Sequence, residues 1–332
     1  MNSNLGTVLY RYIYILNRKS LKSLKKILFL LLSAALISAS LGVDIVDIPQ
    51  ESVLIEKAPF NAMATPWADS IFQSMTLEEK IGQLFSIAAY SNKDETHKKK
   101  VLELIQKHHV GGLTFFQGGP IRQAMLTNDY QKASKIPLMI AIDGEWGLSM
   151  RLDSTVKYPW QMTLGAIQDD SLIYEMGLQV AEQFRRLGVH VNFAPVVDVN
   201  NNPNNPVIFA RSFGENKYNV AEKGIAYMKG MQAGGLLANA KHFPGHGDTD
   251  KDSHKTLPVV NYDRARLDSV ELYPFKEIIK SGIGSMMTAH LYLPKLTADK
   301  KASSLTKEIV DTMLQQQLGF EGLIFTDGLN MG

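Results

Sequence analysis

A short apolar run, often β-branched, followed by an amphipathic stretch with its charges on one face recurs along most of the sequence. The apolar runs fall at Gln83–Ala88, Gly112–Phe116, Leu138–Ile142, Val189–Val197, Leu236–Ala240, Ser285–Ala289 and Leu323–Thr326. Between them, helical spacing shows in Lys98–Lys107, Ile173–Leu187 and Thr306–Leu318. Strands alternating with helices predict βαβ units and a parallel sheet. Strands that are apolar almost throughout suit a sheet covered on both faces.

Polar residues choose between the two parallel architectures. Asp143, Asp198, Lys241-His242, His290 and Asp327 each stand at or just past the C-terminal end of a run, which is the edge where barrel enzymes build their sites. A doubly wound sheet would show a glycine fingerprint after its first strand, whereas Gly111-Gly112 precedes one. The expected fold is therefore α/β, a (β/α)8 TIM-type barrel over residues 67–332. About seven βα units are present, and Gly332 follows the seventh run too closely for an eighth. The barrel is expected to be incomplete, truncated at the C-terminus.

The N-terminus has its own pattern. Arg11, Arg18, Lys19, Lys22, Lys25 and Lys26 precede the apolar run Ile27–Ile37, which ends in Ser38-Ala39-Ser40, and the first 26 residues hold no acid. A basic segment, a short apolar core and small residues describe a signal peptide over 1–40. The competing reading is an uncleaved anchor, for which the apolar run is short. Residues 41–66, with Pro49 and Pro59, read as a linker. An exported protein, periplasmic or extracellular, is expected, without stable membrane insertion after cleavage.

Composition narrows the chemistry. Lys+Arg number 35 against Asp+Glu 33, and much of the basic excess sits in the leader. A broad basic face for nucleic acid is therefore not expected. With 45% hydrophobic and 20% charged residues, the body is ordinary globular material. The sequence has no cysteine, which excludes disulfides, thiolate nucleophiles, iron–sulfur clusters and cysteine-ligated zinc.

The densest polar stretch is Lys241–His254, with three histidines, three aspartates and two lysines. Three readings are open: a loop metal site built on His242 and His246, a solvated connector, or acid–base chemistry. Pro244, Gly245 and Gly247 rule out helical zinc geometry for the first. For the third, Asp252 and His254 are two apart, so an extended segment projects both to one side. A carboxylate so placed orients an imidazole and favours its charged, proton-donating form.

KHFPGHG followed four residues later by Asp252-Ser253-His254 resembles the signature of the β-N-acetylhexosaminidases of glycoside hydrolase family 3. Asp143-Gly144-Glu145 with Arg151 is similar to that family's substrate aspartate and arginine. Asn192–Val199 is similar to its fourth-strand segment, Arg211–Gly214 to its arginine loop, and Phe325–Met331 to its nucleophile segment. The resemblance implies Asp327 as nucleophile, His254 as acid/base and Asp252 as its partner. It also implies Asp143, Arg151, Arg211, Lys241 and His242 as binders of the non-reducing sugar. Gly144 and Trp146 stand where many relatives have glutamine and glycine.

Retaining glycosidases need such a carboxylate and an acid opposite it. Read from the residues alone, Asp327 is equally a helix cap, and Lys241 with Arg211 an ordinary ion-pair network. Trp146 is either a pyranose platform or packing, Asp198 an orienting or a structural residue, and His290 a site-facing or a structural histidine. The expected activity is removal of terminal β-linked N-acetylglucosamine from cell-wall or chitin fragments, with carbohydrate as partner and no cofactor or metal. The alternatives are a β-glucosidase or a phosphorylase of the same family, or a sugar-binding module. β-Glucosidase relatives usually draw their acid from a second domain, so the Asp252/His254 pair argues against that one.

Overall fold

The computed structural model describes residues 63–249 and 256–331. The leader, most of the linker, and Asp252 with His254 lie outside the described residues. Seven strands form one parallel sheet in sequence order. They are β1 Ser86–Ala89, β2 Gly112–Phe115, β3 Met139–Ile142, β4 Val191–Asn192, β5 Leu237–Phe243, β6 Ser285–Thr288 and β7 Leu323–Thr326. This is a TIM-like α/β barrel, of which the described residues hold seven strands. Among the described residues β1 pairs only with β2, and β7 only with β6.

Each predicted run yields a strand, with three boundaries shifted by more than one residue. Gln83 caps the helix Leu77–Gly82, so β1 starts three residues into the run. β4 is short because Pro195 has no N–H to give the ladder. Beyond it the strand rejoins its neighbour, the Val197 N–H donating to the Lys241 carbonyl at 2.9 Å. β5 runs longer than expected, which places Lys241 and His242 on the strand itself.

The helices follow the amphipathic stretches. We number α1 Pro66–Ser74, α2 Leu77–Gly82, α3 Glu95–His108, α4 Pro120–Ala133, α5 Gln161–Leu164 and α6 Asp170–Arg186. Then come α7 Lys217–Ala233, α8 Arg264–Ser269 and α9 Leu272–Lys280. In α3, Asp94 accepts from the His97 N–H as N-cap, and Val101 and Ile105 are buried one turn apart. α6 starts on the Asp169 cap and buries Ile173, Met176, Val180 and Phe184. It packs closely on α7: a β-carbon at Gly230 would meet the Tyr174 carbonyl oxygen at 2.1 Å. The segment expected as an α-helix near Thr306 is a π-helix over Glu308–Gln317, burying Ile309, Met313 and Leu314. Those spacings of four and five fit its wider turn.

Two apolar layers result. Ile140, Ile142, Ala238, Ala240 and Met286 belong to the large core shared with the helices. Ala141, Val191, Phe193 and Met287, with Met139, Leu237 and Phe325 against them, form a second cluster within the curl of the sheet. Side chains alternate along a strand, so positions 139, 141 and 143, like 237, 239 and 241, share the inner side. That parity brings Asp143 and Lys241 together at the C-terminal mouth.

Candidate active site

The mouth is built around carboxylates held by cations. Lys241 Nζ donates to Asp143 Oδ1 at 2.8 Å and also lies 2.8 Å from Glu145 Oε1. Arg151 Nη2 donates to the other Asp143 oxygen at 2.8 Å, with its guanidinium 4.9 Å from the Phe116 ring centre. Arg211 approaches Glu145 with two nitrogens, Nη2 at 2.7 Å from Oε1 and Nε at 3.0 Å from Oε2. Glu145 is fully buried and Lys241 nearly so.

Local structure sets these positions. Asn192, on β4, grips the Gly144 residue from both sides: its Oδ1 accepts from the Gly144 N–H at 2.9 Å and its Nδ2 donates to the Gly144 carbonyl at 3.1 Å. The two flanking acids are thereby fixed. Gly144 is small because Phe184 Cζ would lie 2.4 Å from a β-carbon there. Asn205 Oδ1 accepts from the Val207 and Ile208 amides and starts the turn that carries Arg211. Gln161 pairs its amide with both backbone groups of Val196, two residues before Asp198.

A second relay adjoins the first. Asp198 accepts from the His242 backbone N–H at 3.1 Å and from the His246 N–H at 2.6 Å. His242 Nδ1 lies 2.7 Å from Asp198 Oδ2, and its Nε2 lies 3.3 Å from Arg211 Nη2. A carboxylate only accepts, so His242 Nδ1 carries the proton directed at Asp198. With both nitrogens engaged and a cation against Nε2, His242 is not arranged to share a metal with His246. His246 has Nδ1 2.6 Å from Thr249 Oγ1. Burial, followed by the proximity of His242, pushes its pKa down to about 4, so its ring is uncharged near neutrality.

Burial alone would raise the carboxyls, and their partners outweigh it. Lys241 and Arg151 hold Asp143 below its ordinary pKa, and Arg211 and Lys241 hold Glu145 well below its own. His242 and the His246 amide do the same for Asp198. Arg211, despite burial, is raised by Glu145. All three acids are anions at neutral pH.

The structure thus gathers Asp143, Arg151, Arg211, Lys241 and His242 into one network. Asp327 stands at the same end of the sheet, just past β7, its N–H donating to the Thr288 carbonyl at 2.9 Å. Its Oδ1 accepts from the Gly328 N–H at 2.8 Å. Trp146 stacks on Trp160, ring centres 5.3 Å apart. Glu145 is the residue that sequence reasoning missed. Its signal was a charge count: Arg151, Arg211 and Lys241 converge on a mouth for which Asp143 was the one acid proposed as a sugar ligand.

A family model described as the glycosyl hydrolase family 3 N terminal domain matches residues 76–332. The protein is 40% identical over 253 residues to "Beta-hexosaminidase A" of Pseudoalteromonas piscicida, an alignment covering 69% of its own length and 42% of that relative. It resembles a solved family 3 β-N-acetylglucosaminidase from Paenibacillus sp. str. FPU-7, with a TM-score of 0.73 at 38% identity over 78% of this protein and 50% of that one. A beta-glucoside phosphorylase structure aligns with a TM-score of 0.78 at 27% identity, over 85% and 52% of the two lengths. The present sequence therefore spans about half the length of these relatives.

Proposed function

The protein belongs to glycosyl hydrolase family 3 through its N-terminal domain, and on that premise we propose that it works as an exported retaining β-N-acetylglucosaminidase. The observation that carries the proposal is the Asp143–Lys241–Glu145–Arg211 network at the strand ends, with Lys241 and Glu145 buried, in a protein whose relative is a hexosaminidase at 40% identity. The substrates are β-linked N-acetylglucosaminides from cell-wall muropeptides or chitin.

In this reading Asp143, Arg151, Arg211, Lys241 and His242 bind the hydroxyls of the terminal sugar. Asp327 attacks the anomeric carbon to give a glycosyl-aspartate, while His254, oriented by Asp252, protonates the departing oxygen. His254 then takes a proton from a water that attacks the anomeric carbon, the bond to Asp327 breaks, and the sugar leaves with its configuration retained. Preformed ion pairs suit this work, because donors held in place need no reorganisation as charge develops.

Likeness to a phosphorylase structure supports one other reading, attack by phosphate in place of water. Release of p-nitrophenol from its N-acetylglucosaminide, with and without phosphate, separates the two. Phosphate-independent release with the β-anomer formed first is expected, and release only with phosphate gives the site to phosphorolysis. Asp327→Ala should lose nearly all turnover while N-acetylglucosamine still binds by calorimetry. Labelling of Glu145 or Asp198, rather than Asp327, by a 5-fluoro substrate analogue overturns the nucleophile assignment.

A further inference from the structure

His290, just past β6, lies outside the ion-paired network, yet both its ring nitrogens are engaged. Nε2 is 3.2 Å from the Gly328 carbonyl oxygen, and Nδ1 is 2.7 Å from Ser304 Oγ. A carbonyl oxygen only accepts, so Nε2 carries a proton, and in the neutral ring Nδ1 accepts from the Ser304 hydroxyl. The ring is set in one tautomer, with its N–H aimed at the residue after Asp327.

The support behind the ring is equally defined. Ser303 Oγ donates to the Ala289 carbonyl at 2.6 Å and accepts from the Leu291 N–H at 3.1 Å. Its own N–H donates to the Leu291 carbonyl at 2.7 Å. The short 3₁₀ turn Ser303–Leu305 is thereby sewn to both neighbours of His290, and it presents Ser304 to the ring.

The end of β6 consequently holds the Asp327-Gly328 dipeptide twice. The Thr288 carbonyl takes the Asp327 N–H, and the His290 ring N–H is given to the Gly328 carbonyl. Residues 328–330 are exposed, and Gly328 is conformationally free without a restraint. Because Asp327 Oδ1 accepts from the Gly328 N–H, Oδ2 is the oxygen left for attack.

We infer that His290 is a positioning residue for Asp327. It fixes the turn after the carboxylate and keeps Oδ2 aimed at the anomeric carbon, within the roughly 0.5 Å that catalysis tolerates. The inference rests on the reading of Asp327 as nucleophile. His290 is not an acid or base here, since neither nitrogen is free for a substrate oxygen.

The test compares His290→Ala, His290→Gln and Ser304→Ala in the full-length protein. Glutamine offers one donor and one acceptor, and so can reproduce both bonds. His290→Ala should lower kcat on the aryl N-acetylglucosaminide by about 10- to 100-fold with KM changed less than about two-fold. His290→Gln should recover most of that loss, and Ser304→Ala should show a smaller defect of the same kind. Amide exchange across residues 323–331 should quicken in His290→Ala and return in His290→Gln. The inference is overturned if His290→Ala keeps wild-type kcat and exchange, if the loss falls on KM, or if glutamine restores neither readout. Exchange needs no turnover, so a wild-type protein that releases no p-nitrophenol counts against the proposed function while the clamp is still decided.

Discussion

Glu145 shows how much one residue can decide. It is sealed from solvent and neutralises parts of two cations at once, so Glu145→Gln leaves Lys241 and Arg211 buried with one anion fewer. Removing one partner of a buried pair costs about 3–5 kcal/mol, and a loss of that order should appear as a lower urea midpoint. The pH dependence has a definite sign. Asp143, Glu145 and Asp198 have folded-state pKa values below their ordinary ones, so their contribution is present above the unfolded values and lost as pH falls toward the folded ones. The melting temperature should be level above about pH 7, decline gently below it because His246 is protonated more readily in the unfolded protein, and fall steeply below about pH 4.5. Glu145→Gln should start lower and fall less. An unchanged acid slope would remove Glu145 from the cluster. The charge types at Asp143, Arg151, Arg211, Lys241 and His242 could be read from the sequence. The pairing of Arg211 with Glu145 could not, because they are 66 positions apart and only folding brings them together.

At the scale of elements, alternation and helical spacing located every strand. They did not give the lengths of β4 and β5, which depend on Pro195 and on pairing beyond it. The seven-strand sheet and its order were legible because each run is short, apolar and followed by an amphipathic stretch. The π-helix at Glu308–Gln317 was not, since spacing of four to five in so short a segment also fits an α-helix. The contact of α6 with α7 depends on glycine at 230. A methyl group there would push against the Tyr174 carbonyl, a backbone atom that cannot rotate away. Gly230→Ala should therefore cost about 1–3 kcal/mol, as overpacking does, visible as a lower denaturant midpoint. Turnover per folded molecule should hardly change, because the site's ligands stand on strand ends rather than on these helices. A neutral substitution would mean that the helices part without penalty.

Over the whole described body, burial is uneven. The middle strands are largely sealed, whereas β1 and β7 each carry exposed residues at two of their four positions. Leu84 is 83% exposed, and Phe85 and Leu323 are each nearly half exposed. Unpaired strand edges beside apolar side chains invite association. A polypeptide of residues 63–331 alone at micromolar concentration should show concentration-dependent self-association by light scattering, reduced by Leu84→Lys with Leu323→Lys. Monomeric behaviour at all concentrations would contradict that.

The ion network also has a consequence for how the strands find their pairing. Asp143, Glu145 and Arg151 follow β3, Asp198 follows β4, Arg211 comes from a separate turn, and Lys241 and His242 ride on β5. Hydrophobic parity alone would tolerate a slide of β5 by two residues, because every side group keeps its face. Such a slide would carry the Lys241 ammonium roughly 7 Å along the strand, away from Asp143 and from Glu145, which is shut off from bulk water. Electrostatics thus proofreads the alignment that apolar contacts leave degenerate, and the residues proposed to grip a sugar serve the nascent barrel as a combination lock.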